Sequence, residues 1–500
     1  MTGARERLGP APPVAGPLVA IVAASAAEYP EAPFDPDTAY PELESFAAIR
    51  VSARPNPVYA AVRRSLAALG LDAAAFGTPH WNPLGGIVCP GDRVLVKPNW
   101  VLQGHHDDDS WQQIVTHGAV LRVVLDYVAL ALAGRGRISL ADGPMLSADF
   151  PLILERAAVG SLHRHVREAA PGIEFESLDL RSQHLETCDD VIVRRTALPG
   201  DPRGAVRVDL GRRSELFGFR GEGRLYGADY DTAEVNRHHV GDLHEYLLSG
   251  TALQADVVID VPKLKTHQKV GMTLALKGVV GLNSGRNWLP HRTQGTPEQG
   301  GDQFQSSGAK QRLEAAVVRA FEIGSLRAPA LVSPIYRLAK RAGRRIFGAT
   351  DRTVRGGGWH GNDTLWRMAL DINRALVFAD TEGRIHATPQ RRRFCVVDGI
   401  VMGEGTGPIY ATPRPLGVIV AGSDPVALDV VATELVGFDH ERVPMLRHAL
   451  APHPLPLASG PAEAIRVVGT EWGRDLASLR VSDPFAVEEP VGWVGHLRRR

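Results

Sequence analysis

The sequence predicts an α/β fold: a mostly parallel sheet flanked by helices, with an inserted β-hairpin region and a lid-like insertion. Three features predict it. Short apolar runs recur along the chain, among them LVAIVA, RVLVK, RISLA, DVVIDV, FCVVD and LGVIVA, and runs this apolar read as strands covered on both faces. Stretches of helical period separate several of them, which is the order of parallel crossover units. A polar turn follows most runs, where the carboxyl ends of parallel strands would stand.

Taken in order, residues 1–90 give a first strand at Leu18–Ala23, a Pro-rich loop and a helix from Pro57 to Leu69 stopped by Gly70. Arg5 and Arg7 before PLVAIVAASAA imitate a secretory signal, but Glu6, Pro10, Pro12 and Pro13 spoil the pattern, which favours a buried strand. Residues 91–181 form the first α/β part of the core: strand Arg93–Lys97, a helix from an N-cap at Thr116 to about Ala133, strand Arg137–Ala141, then a further helix and strand. The rhythm breaks over 182–248, where 190–196 and 205–210 alternate like a hairpin around PGDPRG. It returns in 249–283 with DVVIDV and a Lys-rich motif. Residues 284–365 begin with a polar, Gly- and Gln-rich stretch to 308, a candidate lid, and continue with helices at 310–324 and 334–347. The second carries Arg337, Lys340, Arg341, Arg344 and Arg345, a basic face read as solvated rather than phosphate-binding. Residues 366–500 close the core with strands at Phe394–Asp398 and Leu416–Ala421 and a helix at Pro425–Leu435.

Composition narrows the function classes. Formal net charge is zero, so nothing draws the whole chain to nucleic acid or to an anionic membrane. No apolar run approaches the roughly 20 residues of a membrane span. Cys89, Cys188 and Cys395 are widely separated, so no iron–sulfur cluster or structural zinc site is expected from this chain alone. They read as thiols in a reducing compartment, and the expected location is cytoplasmic. Only seven of the 56 basic residues are Lys, and four of those, Lys263, Lys265, Lys269 and Lys277, fall in one short stretch. An ammonium is a compact charge whose pKa burial can tune, whereas a guanidinium is not.

The polar turns supply the candidate site. Lys97, Asn99, Lys263, Thr266, Lys277, Asn283, His291 and Glu404 are candidate substrate-binding residues, with Thr273 a further hydroxyl donor. Lys265, His267 and Asp398 are candidate catalytic groups, as base, nucleophile or acid. Converging ammonium groups repel one another unless an anion or a carboxylate lies between them, so a phosphate or carboxylate ligand is the direct reading. Structural pairing of these lysines with carboxylates such as Asp398 or Asp429 is the competing one. Asp142, Asp424, Asp429 and His239 are candidate ligands for a divalent ion such as Mg²⁺. Asp424 before Pro425 equally fits a helix N-cap.

PKLKTH followed by GMTLALKGVVGLN resembles the family catalogued as domain of unknown function 362. VLVKPNW, THGAVLRVV with ADGP, DGIVMGEGTGP and GSDPVALD extend the resemblance over roughly 90–440. RLYGADYD, His238-His239 and NWLPHRTQGTPEQGGDQF resemble a longer branch of it. Many relatives carry a cysteine-rich ferredoxin-like segment; this chain has none of its motifs, so cluster binding is not carried over. Lys277-Gly278 stands where relatives commonly have Lys-Asn, with Asn283 nearby. The family has no general assigned reaction. The expectation is therefore a protein that binds a small phosphate, carboxylate or nucleotide-sugar anion, as an enzyme of small-molecule or glycan metabolism. The alternatives are a non-catalytic scaffold with a protein partner, or a redox partner of a separate iron–sulfur protein.

Overall fold

The computed structural model describes residues 16–46, 48–347, 354, 356–470, 472–482 and 485–499. The charged start of the signal-like segment, Arg5 and Arg7, lies outside them, as do the side chains of Arg344 and Arg345. A ten-stranded sheet organises the chain. Its strands are β1 (Leu18–Ala23), β2 (Arg93–Pro98), β3 (Gly136–Asp142), β4 (Ile173–Asp179), β5 (Val257–Val261), β6 (Lys263–His267), β7 (Gly271–Thr273), β8 (Arg392–Thr406), β9 (Tyr410–Gly422) and β10 (Arg466–Val468). The lateral order is β10-β1-β9-β8-β5-β2-β3-β4. From β8 to β4 every neighbour is parallel. β6 continues β5 beyond Pro262, pairing with the far half of β8 and, antiparallel, with β7.

Alternation along the strands divides the core in two. Val94, Val96, Ile138, Leu140, Ile259 and Val396 pack on one face with α1 (Pro57–Ala68) and α2 (Gly118–Leu132). Leu95, Ala141, Val258 and Val397 pack on the other with α3 (Ala275–Gly278), α4 (Leu365–Phe378) and α5 (Pro425–Leu435). Successive side chains leave a strand on opposite faces, so a strand clothed by helices on both must be apolar throughout. That is why the runs are unbroken.

Three expectations are corrected. LGVIVA lies in β9, which runs antiparallel to β8: the strand after FCVVD continues through GIVMGEGT to Thr406 and doubles back at Tyr410. An antiparallel return needs only a short turn, whereas a parallel crossover needs a dozen or more residues; between the two expected strands the chain is itself strand, apart from the turn at 407–409. The carboxyl end of β9, with GSDP, is therefore at the opposite edge from the other polar turns. Segments 190–196 and 205–210 do not pair. Val191–Ala197 pairs with Gln183–Cys188 across Asp189-Asp190, both at positive φ (52° and 57°), as a two-residue hairpin turn requires. Ala205–Asp209 pairs with Leu243–Ser249, and Asp201 of PGDPRG accepts the amide (2.8 Å) and hydroxyl (2.6 Å) of Thr251. Finally, α2 is capped by His117, whose Nδ1 accepts the amide of Ala119 at 3.1 Å. The hydroxyl of Thr116 instead ties β2 to β5, accepting the amide of Asn99 (2.8 Å) and donating to the carbonyl of Val261 (2.7 Å).

The helices at Ala309–Arg327 and Pro329–Phe347 pack as a pair. Its basic face is held by the hairpin turn: Arg337 and Arg341 each bond Asp189 at 3.0 Å, and Lys340 donates to the carbonyl of Asp190 at 2.8 Å. Among the described residues, no helix is long and apolar enough to cross a membrane.

Candidate functional site

At the carboxyl edge of the parallel strands a cavity of about 220 Å³ opens. The end of β2 brings Asn99 and Trp100 to it, the end of β3 brings Asp142 and Gly143, and β6 brings His267. Lys269 follows β6, Lys277 stands on α3, and Arg286 and His291 come from the stretch expected to be a lid.

The floor is closely fitted. Lys97 Nζ lies 2.8 Å from Asp142 Oδ1 and donates to the carbonyl of Pro98 at 2.6 Å; both side chains are buried. The other Asp142 oxygen accepts the Trp100 amide at 2.8 Å. Gly281 rests on this pair: a Cβ there would stand 2.0 Å from Asp142 Oδ1. Only glycine lets the backbone approach so closely.

Above the floor the charges are cationic, with Asp302 acting on Lys269 and Asp142 on Lys277 only from a distance. Among the described residues, no acceptor bonds the ammonium of Lys269 or Lys277, and Asp142, already held by Lys97, is the only carboxylate lining the cavity. Both lysines are partly enclosed. Burial pulls Lys269 down to about 7, helped by the nearby Arg292 charge, and Lys277 down to about 8, helped by Arg286 and Lys97. Burial brings Arg286 to about 10; its guanidinium bonds the carbonyls of Val280 at 2.9 Å and Pro144 at 2.8 Å, and that of Gly143. Burial likewise holds His267 and His291 well below the usual imidazole range, so both rings are neutral. His267 Nδ1 accepts the amide of Lys269 at 3.0 Å, which leaves the proton on Nε2. His291 Nδ1 donates to the carbonyl of Leu289 at 2.7 Å, which leaves its Nε2 an acceptor. One ring thus offers a donor and the other an acceptor.

The remaining candidates lie elsewhere. Lys263 donates to Asp398 at 3.0 Å and to the Tyr29 hydroxyl at 2.5 Å, and Tyr29 donates to the same carboxylate at 2.6 Å. The amide of His117 completes this interior network. Burial, opposed by Asp398, lowers the Lys263 pKa. Lys265, fully buried and strongly depressed by it, donates to the carbonyl of Ile114 at 2.6 Å. Thr266 bonds the carbonyl of Gly405 at 2.7 Å, Asn283 holds the amide of Leu247 at 2.9 Å, and Glu404 accepts the amide of Glu488 at 3.0 Å. The Thr273 hydroxyl is buried without a partner.

The four metal candidates do not meet. Asp424 caps α5, accepting the amides of Val426 and Ala427 at 2.9 Å, and also holds Ser459. Asp429 caps α3, taking the amides of Ala275 and Leu276 at 2.9 Å; burial pushes its carboxyl up to about 8. His239 bonds the carbonyl of Trp288 at 2.7 Å, and burial lowers it to about 3. Among the described residues, Glu434, Asp439 and His440 are near enough to share an ion. Arg480 already bonds Glu434 at 2.8 and 2.9 Å, so cations of the chain occupy that cluster.

Lys269, Arg286 and Trp100 were not singled out from sequence as site residues. Lys269 belongs to the lysine cluster, which was the available signal; Arg286 had none beyond its position just before NWLPH.

A family model described as domain of unknown function 362 matches residues 217–434, a shorter span than the motifs led us to expect. The thylakoid-associated protein sll1697 of Synechocystis sp. is 24% identical over 368 residues, covering 73% of this chain and 70% of that protein. A crystal structure of a Thermotoga maritima protein aligns with 11% identity and a TM-score of 0.27, covering 68% of this chain and 51% of that one, so the chain spans about half its length. The matched span, residues 217–434, carries β6, Lys269, Lys277, Arg286 and His291, so it is this part of the chain that is similar to the family described as domain of unknown function 362.

Proposed function

We propose that the protein binds a small multiply charged anion, of phosphate or carboxylate type, in the cavity between Lys277, Lys269 and Arg286. The observation that carries this reading is the absence, among the described residues, of any acceptor for the Lys269 and Lys277 ammonium groups in a cavity whose one carboxylate is already paired. Burying uncompensated like charges is unfavourable, and an anion with two or more oxygens relieves it through charge-assisted hydrogen bonds. The volume fits a phosphate, a small phosphoester or a di- or tricarboxylic acid rather than a polymer. A neutral imidazole donor, a neutral imidazole acceptor and a lysine near 7 are groups that can move a proton on such a ligand. This favours an enzyme of small-molecule metabolism over a scaffold. The three separate thiols fit a reducing, cytoplasmic setting.

Isothermal titration of the full chain with inorganic phosphate, citrate and uridine diphosphate tests this. At least one should bind saturably, and Lys277→Met should weaken it at least tenfold, since a hydrogen bond to a charged group contributes about 1.5–3 kcal/mol. Failure of all three to bind, or binding indifferent to Lys277→Met, would remove the proposal.

A further inference from the structure

A second region of the molecule carries a different ligand chemistry. Between the helix pair Ala309–Arg327/Pro329–Phe347 and the core lies a cavity of about 540 Å³, within the range of small-molecule sites. Aromatic and aliphatic side chains form much of its wall, namely Tyr226, Tyr230, Phe304, Phe321, Tyr336 and Val317, and the charged Asp190, Lys310, Glu314 and Lys340 line it as well. Phe321 and Tyr336 stack with centroids 5.0 Å apart. Leu313 and Val317 line the same space yet remain 67% and 45% exposed, so its mouth is apolar and open to water.

A second cavity, of about 310 Å³, shares Tyr226, Arg292, Gln303, Val318 and Glu322 with the first. Its further lining is polar, with Arg224, Gln294, Gln299 and Arg312. Arg292 stands between the two, its guanidinium 3.5 Å from the centroid of the Tyr226 ring. Its Nε is buried without a partner, and among the described residues no carboxylate or carbonyl bonds the group. The neighbouring carboxylate, Glu322, is already taken by the Tyr226 hydroxyl at 2.8 Å and Arg319 at 3.5 Å. An apolar cavity joined to a polar one through an unpaired cation is complementary to one kind of molecule.

We propose that these joined cavities bind a single-chain amphiphile with an anionic head, the head meeting Arg292 and the chain lying along Phe321 and Tyr336 toward Leu313. Neither part alone explains the arrangement: a hydrophilic anion has no use for the aromatic wall, and a neutral hydrocarbon leaves the guanidinium unpaired. The joined cavities share no lining residue with the Lys277 cavity, although the Arg292 charge is near enough to act on Lys269.

Displacement of the fluorescent fatty acid cis-parinarate from the full chain by dodecanoate, below its micellar concentration, tests the proposal. One equivalent of dodecanoate should bind, with dodecanol at least tenfold weaker. Ala339→Trp, which fills the aromatic cavity, should abolish parinarate binding while the circular dichroism spectrum stays unchanged. Arg292→Gln should weaken dodecanoate at least tenfold and leave dodecanol as it was, so that a folding failure of the first variant still leaves a decisive result. Absence of saturable binding, or equal affinity for acid and alcohol in both wild type and Arg292→Gln, would overturn it. So would binding to anionic vesicles without binding of dodecanoate, which would assign the apolar mouth to a lipid surface.

Discussion

Two lysines fourteen residues apart have opposite situations. Lys263 has a carboxylate, a phenol and full burial; Lys277 has a cavity and no acceptor among the described residues. Lys263→Met should therefore destabilise the protein by about 3–5 kcal/mol in urea unfolding, because Asp398 is left as an uncompensated interior charge. Lys277→Met should leave the unfolding midpoint unchanged or higher, because it removes a charge that only a ligand would offset. Equal losses in the two variants would contradict this division of roles. The sequence revealed the lysine cluster but not this division. Which ammonium is paired depends on Tyr29 and His117, contributed from opposite ends of long loops, and spacing within PKLKTH carries no trace of them.

At the scale of elements, α3 is only four residues long and keeps its place because Asp429 of α5 accepts its first amides. Burial raises that carboxyl from its ordinary value to about 8, so between about pH 4 and 8 the folded state holds a proton that the unfolded chain has released. Stability contributed by this group is complete below pH 4 and declines as pH rises toward 8. Asp429→Asn should remove that slope: thermal melting from pH 5 to 8 should fall less steeply in the variant, and parallel curves would count against the assignment. The helix containing Asp429 was legible in the sequence to the residue, Pro425–Leu435, because Asp424-Pro425 is a plain N-cap signal. The direction of β9 was not legible. Apolar composition identifies a strand and its burial but says nothing of which way it runs, and the glycines of GEGTGP hid the continuation of β8.

For the molecule as a whole, zero net charge conceals a local excess of positive charge at one edge of the sheet. With Lys269 and Lys277 near 7 and 8, a bound anion would raise both and draw protons onto the protein. Affinity for sulfate, whose charge is fixed in this range, should be greatest below pH 7 and drop by more than about tenfold from pH 7 to 9. Calorimetry in buffers of different ionisation enthalpy should register proton uptake at pH 8; a flat profile would mean that the lysines do not face the ligand. The fold class, the core strands and the edge holding the cavity were all readable from apolar runs and the turns that follow them. The members of the cavity were readable only in part, since Arg286 enters from a segment whose path no periodicity dictates.

The outer strands of the sheet have a bearing on how the chain is made. β1 lies between β9 and β10, so residues 18–23 take their strand partners from residues 418–422 and 466–468. During synthesis β1 stays without a strand partner until the chain has been made as far as β9. The parallel centre can assemble earlier from nearer partners, and sealing of that outer edge becomes a late event in biogenesis, governed by the slow meeting of distant segments.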